Sequence, residues 1–140
     1  MKKTILKNIL IFSSILFIDQ FSKYLIRAQG GFYICNKNIS FSLVIPQSIL
    51  PTLLALIIFA LLFILFKFQP KLSVLEKISL IFILSGAISN ILDRLLFGCV
   101  IDFINLGFWP SFNLADAFIS SGAIILIIQT LTHTTSSKKK

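Results

Sequence analysis

Two aspartates stand in an otherwise apolar stretch, CVIDFINLGFWPSFNLADAFI (residues 99–119), of a chain that has only five acidic residues. Gly107 and Pro110 lie between Asp102 and Asp116, so the chain can turn back and let the two carboxylates face each other. Carboxylates held that close share one proton, and the pair can then hydrolyse an amide: one member activates water and the other polarises the carbonyl. Spacing alone leaves a second interpretation open, which is two unrelated acids at a membrane surface.

Two further polar groups fall in apolar segments. Asp19 and Lys23 are spaced i, i+4 on a predicted helix, which favours an ion pair, with a role beside a substrate as the alternative. Asn90 lies on one helical face with Asp93 and Arg94, and this spacing indicates a structural network or an arginine that snorkels to the interface.

The start of the last apolar segment has the pattern of a helix cap. Asn113-Leu-Ala-Asp116 reads as a capping-box variant, with Asn113 as the N-cap and Asp116 favoured by the helix dipole. Such a cap explains why an acid can begin this helix, but it does not explain Asp102. Glu76 lies in a polar connection, where solubility alone accounts for it.

Composition favours a membrane protein. The 140 residues are 56% hydrophobic and 13% charged, too few charges to cover a soluble domain of this length. The net charge of +8 comes from short lysine clusters between apolar runs, which argues against a nucleic-acid partner. The single histidine and two isolated cysteines predict neither a metal site nor a cofactor. Whether Cys35 and Cys99 form a disulfide stays open.

The predicted fold is an all-α polytopic membrane protein of one domain, residues 1–140, with a retained first helix. Four apolar segments approach the roughly 17–25 residues that cross a bilayer as a helix: 5–26, 51–66, 78–97 and 113–131. The lysine clusters assign the amino end, residues 67–77 and the tail to the cytoplasm. Residues 27–50 and 98–112 are then extracytoplasmic.

A small extracytoplasmic β-hairpin is also predicted. Residues 39–43 alternate apolar and hydroxyl side chains, the period of a half-buried strand. Residues 32–35 supply the other strand, and the polar residues 36–38 supply the turn.

Five short motifs occur in order along these segments: DQFSK (19–23), NKNISF (36–41), GAISNILDR (86–94), GCVIDF (98–103) and FNLAD (112–116). Together they resemble the motifs of lipoprotein signal peptidase (signal peptidase II, peptidase family A8), and the resemblance runs nearly end to end. Asn38 and Ser40 stand where the family pattern has glycine and alanine.

The resemblance implies that Asp102 and Asp116 are the catalytic residues. It also implies a small extracytoplasmic sheet, including Asn36 to Phe41, that cradles the substrate. The residues expected to support the site or bind substrate are Asn113, Asn90, Arg94, Asp93, Asp19, Lys23, Asn36 and Phe41, with no metal.

The function implied by the resemblance is that of an intramembrane aspartic endopeptidase. It would remove the signal peptide from diacylglyceryl-modified prolipoproteins, cutting before the lipidated cysteine, as a monomer in contact with membrane lipids. Its place would be the bacterial inner membrane, with the active site at the extracytoplasmic face. The rival interpretation is a small transporter or proton- or cation-conducting protein that uses the same acids. Four of the acids crowd toward the outer half of the predicted spans, which favours a site near the surface.

Overall fold

Within residues 2–37, 50–68 and 72–137, which the computed structural model of the protein describes, the chain forms helices joined by very short strands. The helices are α1 (Lys2–Ala28), α2 (Leu50–Lys67), α3 (Val74–Phe97) and α4 (Leu114–Ser137), and the strands are β1 (Ile34–Asn36) and β2 (Val100–Asp102). Each predicted apolar segment therefore lies on a helix, and the mostly helical fold is confirmed.

Three of these helices are long and apolar enough to cross a membrane: Thr4–Ala28, Val74–Phe97 and Leu114–Thr132. The apolar part of α2 is shorter and covers Leu56–Leu65. The structure thus supports three candidate spans where the sequence predicts four.

Helix α3 begins before the predicted apolar segment because a capping box starts it. The Ser73 hydroxyl accepts from the Glu76 backbone N–H at 3.2 Å, and the Glu76 carboxylate accepts from the Ser73 N–H at 2.7 Å. Glu76 therefore stabilises a helix end instead of serving only solubility. At the other end, Gly98 adopts φ 73°, and its N–H donates to the Arg94 carbonyl at 3.0 Å. This left-handed residue turns the chain straight from α3 into β2.

The sheet joins segments that are far apart in sequence. Strand β1 pairs antiparallel with β2, with Ile34 opposite Asp102 and Asn36 opposite Val100. The partner of residues 34–36 is therefore β2, and the predicted hairpin partner, residues 39–43, lies outside the described residues. Period-two patterning identifies a strand but not its neighbour, so a long-range pairing could not be read from it.

A disulfide between Cys35 and Cys99 ties the same two segments, with 5.4 Å between their Cα atoms. This answers the question that the sequence left open. Because β1 follows α1 and β2 follows α3, the disulfide holds the ends of these two helices, Ala28 and Phe97, at one end of the bundle.

Helices α3 and α4 approach each other closely at two glycines. A Cβ atom on Gly86 would lie 2.5 Å from the Ala115 carbonyl oxygen, and one on Gly122 would lie 2.6 Å from the Ser79 carbonyl oxygen. Small residues at such contacts let membrane helices pack backbone against backbone. Phe82 and Phe118 add an edge-to-face ring contact between the same helices, with 5.3 Å between centroids.

Gly122→Ala is expected to destabilise the protein by about 1–3 kcal/mol, because the added methyl group meets backbone that cannot rotate away. Thermal unfolding in detergent measures the change. Ser121→Ala, at the exposed neighbouring position of the same helix, is the control. Equal unfolding temperatures for the two variants would show that α3 and α4 are not closely packed here.

Candidate active site

The two aspartates of the apolar stretch line one cavity. Asp102 ends β2 and is buried, and Asp116 lies in the first turn of α4. Both contribute to the wall of a cavity of about 340 Å³, together with Asn36, Trp109 and Ser120 among others. The turn through residues 103–112 thus brings the carboxylates to a common space, as their spacing allowed.

Asn113 connects the two aspartates. Its side-chain amide donates to Asp102 Oδ1 at 2.7 Å. Its side-chain oxygen accepts from the Asp116 backbone N–H at 2.9 Å, and its own backbone N–H donates to Asp116 Oδ2 at 3.3 Å. The second pair of bonds is the predicted capping box, which is confirmed. The cap therefore does more than begin α4, because the Asn113 side chain that caps the helix also binds the Asp102 carboxylate.

Two further asparagines complete the frame around the carboxylates. Asn36 Nδ2 donates to Asp102 Oδ2 at 2.8 Å, and Asn90 Nδ2 donates to Asp116 Oδ1 at 2.8 Å. Each of the four carboxylate oxygens accordingly accepts a hydrogen bond from an asparagine N–H. Such bonds fix the orientation of both side chains and leave further lone pairs of the oxygens for water or substrate.

A buried ionic cluster lies beneath this frame, and we call Asp19, Lys23 and Asp93 the Lys23 cluster. Lys23 Nζ lies 2.7 Å from Asp19 Oδ2 and 2.8 Å from Asp93 Oδ2, and all three side chains are at most 1% exposed. The predicted i, i+4 ion pair is confirmed. Its extension to Asp93 on α3 was not predicted, because nothing local relates these two positions.

The Lys23 cluster holds the backbone next to each aspartate. Asp93 Oδ2 accepts from the Ile101 N–H at 3.1 Å, one residue before Asp102. Asp19 Oδ1 accepts from the Ala115 N–H at 2.8 Å, one residue before Asp116. The second bond also places a carboxylate at the N-terminus of α4, where the helix dipole favours negative charge.

Ser89 and Gln20 are site-supporting residues absent from the predicted set. The Ser89 hydroxyl donates to Asp19 Oδ2 at 2.6 Å, and Gln20 Nε2 donates to Asp93 Oδ1 at 2.9 Å and to Ser89. Ser89 lies four residues before Asp93, on the same helical face, which is the only sequence signal that could have identified it.

Asn90 links the cluster to the carboxylate frame. Its side-chain oxygen accepts from Lys23 Nζ at 3.0 Å and from Asn113 Nδ2 at 3.2 Å. The Arg94 guanidinium donates to the Asn90 backbone carbonyl at 3.2 Å. This bond favours the structural network over the snorkelling arginine, the two interpretations that the sequence offered. The remaining predicted site residue, Phe41, lies outside the described residues.

The electrostatic surroundings favour the protonated form of Asp102. Burial raises the pKa of this carboxyl from 3.8 to about 6, and the neighbouring charge of Asp116 adds to the rise. Hydrogen bonds from Asn36 and Asn113 act in the opposite direction. Where the structure describes the chain, no three His, Cys, Asp or Glu side chains are grouped as metal ligands would be. Asp102 and Asp116 give the site two hydrogen-bonded carboxyl groups, of which one can act as an acid and the other as a base.

Comparison with known proteins agrees with this chemistry. A family model described as signal peptidase (SPase) II matches residues 11–132. A lipoprotein signal peptidase of Syntrophomonas wolfei is 40% identical over 118 residues, which cover 82% of this chain and 77% of that protein. Its counterpart from Moorella thermoacetica is 38% identical over 135 residues, covering 84% of this chain and 87% of that protein.

The fold is similar to that of a bacterial membrane enzyme solved by the in meso method at 2.3 Å resolution. The TM-score is 0.78 at 26% sequence identity, and the match covers 96% of this chain and 93% of the solved one.

Lys23→Met is expected to destabilise the protein by about 3–5 kcal/mol, because two buried carboxylates lose the cation between them. Thermal unfolding in detergent measures the loss. Lys7→Met removes an exposed lysine from the same helix and is the matched control. Similar stability of the two variants would show that the Lys23 cluster does not hold the fold together.

Asp102→Asn is expected to remove a pH dependence of stability. Between about pH 4 and pH 6 the folded protein holds more protons on Asp102 than the unfolded chain does, since its pKa rises from 3.8 to about 6 on folding. The free energy of unfolding of the wild type therefore falls as pH rises through this window, and the variant lacks that term. Unfolding temperatures of both proteins across the window measure the effect. A difference between them that stays constant with pH would contradict the raised pKa.

Proposed function

The chain belongs to the signal peptidase II family of aspartic peptidases, and we propose that Asp102 and Asp116 are the pair with which it cleaves prolipoprotein signal peptides. The observation that carries the proposal is the frame of asparagine N–H groups, which orients all four carboxylate oxygens around one cavity. A purely structural role for these acids would not require both carboxylates to line the same cavity.

The proposed reaction follows from one proton shared by the two carboxyl groups. The ionised member takes a proton from water, and the oxygen of that water attacks the carbonyl carbon of the scissile amide. The protonated member donates to the carbonyl oxygen and so stabilises the charge that develops there. The C–N bond then breaks, and the leaving nitrogen takes up a proton from the pair. The pKa of Asp102, about 6, lets this carboxyl share a proton near neutral pH.

The supporting residues have separate tasks in this proposal. Asn36, Asn90 and Asn113 keep the carboxylates oriented through neutral amides, which do not cancel the charge that the reaction needs. Lys23 acts indirectly. Its ammonium group donates to Asn90, and its partners Asp19 and Asp93 bind the backbone next to the two aspartates. Lys23 is a positioning residue and is not among the residues that line the cavity.

The proposed topology has four spans within a single membrane domain, residues 1–140. Helix α2 has 18 residues, a length of roughly 27 Å against a hydrocarbon core of roughly 30 Å. Lys67 lies at its end, with Nζ 4.9 Å from the centroid of the Phe63 ring, a position from which its ammonium group can reach the interface. A fourth crossing also keeps the three lysine clusters of the sequence on one side, the cytoplasm.

The proposed place of the site is the extracytoplasmic face of the bacterial inner membrane. The aspartates lie at the end of the bundle where α3 ends and α4 begins, whereas Lys77 lies near the start of α3, at the opposite end of that helix. The disulfide of Cys35 and Cys99 lies at the same end, and disulfides persist in oxidising compartments outside the cytoplasm.

The proposed substrate explains why a peptidase would hold its site at this depth. A diacylglyceryl group on the substrate cysteine stays in the bilayer, so the peptide bond just before that cysteine is held at the lipid surface. A monomer in contact with lipid can reach this bond without a further subunit, because both aspartates come from one chain.

Asp102→Asn and Asp116→Asn are each expected to abolish cleavage of a diacylglyceryl-modified prolipoprotein by the purified protein, because an amide can neither accept the proton of water nor donate a carboxyl proton. The assay follows release of the signal peptide, and membrane fractions confirm that each variant inserts and accumulates. Glu76→Gln, which changes an acid at the opposite end of α3, is the control and is expected to cleave normally. Near-normal processing by either aspartate variant would overturn the proposed pair.

A further inference from the structure

The connection between β2 and α4 carries large apolar side chains that are half or more exposed, or nearly so. Leu106, Phe108 and Trp109 are 51%, 85% and 49% exposed, and we call residues 106–109 the apolar tip. Residues 103–115 contain no charged side chain at all. A tip of this kind in water exposes a contiguous apolar patch, the usual mark of a contact surface.

The apolar tip has a defined shape. Its stem is closed by a bridge between Ile104 and Phe112, whose backbone groups exchange hydrogen bonds of 2.8 and 3.0 Å. At its turn, Gly107 adopts φ 79°, and its N–H donates to Asn105 Oδ1 at 2.7 Å. The exposed side chains are therefore presented by an ordered turn, so their exposure is a property of the fold.

Position in the molecule indicates what covers the tip. The connection leaves one candidate span at Phe97 and enters the next at Leu114, so it begins and ends at the membrane surface. Tryptophan and phenylalanine are enriched at that depth, where the indole ring can contact acyl chains while its N–H reaches polar groups. The lack of charge in the connection fits burial in lipid better than contact with water.

The tip is also part of the site. Trp109 and Pro110 line the cavity into which Asp102 and Asp116 face. Trp109 therefore belongs both to the apolar tip and to the wall of the cavity that the two aspartates line.

We propose that the apolar tip inserts into the adjoining leaflet of the bilayer, and that Trp109 thereby holds the mouth of the aspartate cavity at the lipid surface. The insertion is inferred from the spans and the exposed side chains alone. A lipid-anchored substrate would then enter the cavity beside Trp109, and this consequence rests on the proposed function.

Trp109 is the only tryptophan of the sequence, so its fluorescence reports directly on the tip. The full chain is reconstituted into phospholipid vesicles whose acyl chains carry bromine atoms either close to the headgroup or near the chain end. Bromine atoms close to the headgroup are expected to quench most of the Trp109 emission, and bromine atoms near the chain end are expected to quench less of it. Acrylamide in the aqueous phase is expected to quench little of it. A reference protein, Trp109→Phe with Phe17→Trp, places the fluorophore near the middle of α1 and is expected to show the opposite preference between the two bromine depths.

Variants of Phe108 provide the matched test of what drives insertion. Phe108→Ser is expected to weaken quenching by shallow bromines and to raise quenching by acrylamide, whereas Phe108→Leu keeps the wild-type pattern. In cleavage assays on a lipidated prolipoprotein, Phe108→Ser is expected to raise KM severalfold with little change in kcat, because the chemistry of the carboxylates is untouched.

Strong acrylamide quenching with no effect of bromine at either depth would overturn the proposal, because the tip would then lie in water. Emission shielded from bromine and acrylamide alike would also overturn it, in favour of a cover made of protein, such as a second copy of the chain. The fluorescence experiment needs no catalysis. Its result therefore stands apart from the fate of the proposed aspartate pair, which the Asp→Asn variants decide.

Discussion

A lysine ammonium buried between two carboxylates is the interaction on which the rest of the structure depends. Placing Lys23, Asp19 and Asp93 out of contact with water is unfavourable for each charge alone, so each requires the other two in place. The three residues come from two helices, and the two carboxylates also accept hydrogen bonds from the backbone of β2 and of α4. The Lys23 cluster therefore specifies how four elements meet.

The geometry of the aspartates is a consequence of that cluster. The carboxylates of Asp93 and Asp19 accept hydrogen bonds from the residues that immediately precede Asp102 and Asp116. These bonds fix the position of the backbone next to each aspartate. Asparagines then orient the side chains. The charges of the Lys23 cluster thus stay buried in pairs, whereas neutral amide donors contact Asp102 and Asp116, whose charge must remain available.

The helical scaffold and the sheet of β1 and β2 both support the site. Close packing of α3 on α4 through Gly86 brings Ala115, and with it the first turn of α4, against α3. Strand β1 is held by its pairing with β2 and by the disulfide, and it places the Asn36 amide against Asp102. The cavity thus lies where α3 ends, α4 begins and the two strands pair.

The sequence by itself determined the local features of this protein: helices from long apolar runs, the Asp19–Lys23 pair from its i, i+4 spacing, and the Asn113–Asp116 cap from its pattern. Each of these needs only neighbours within one helical turn. The tertiary structure alone decided that Lys23 also binds Asp93, that β1 pairs with β2 and that Asn36 reaches Asp102 across 66 positions. Contacts of that range depend on how helices pack, and packing is set by the whole set of side chains at once, so no local spacing could show that Asp102 and Asp116 share one cavity.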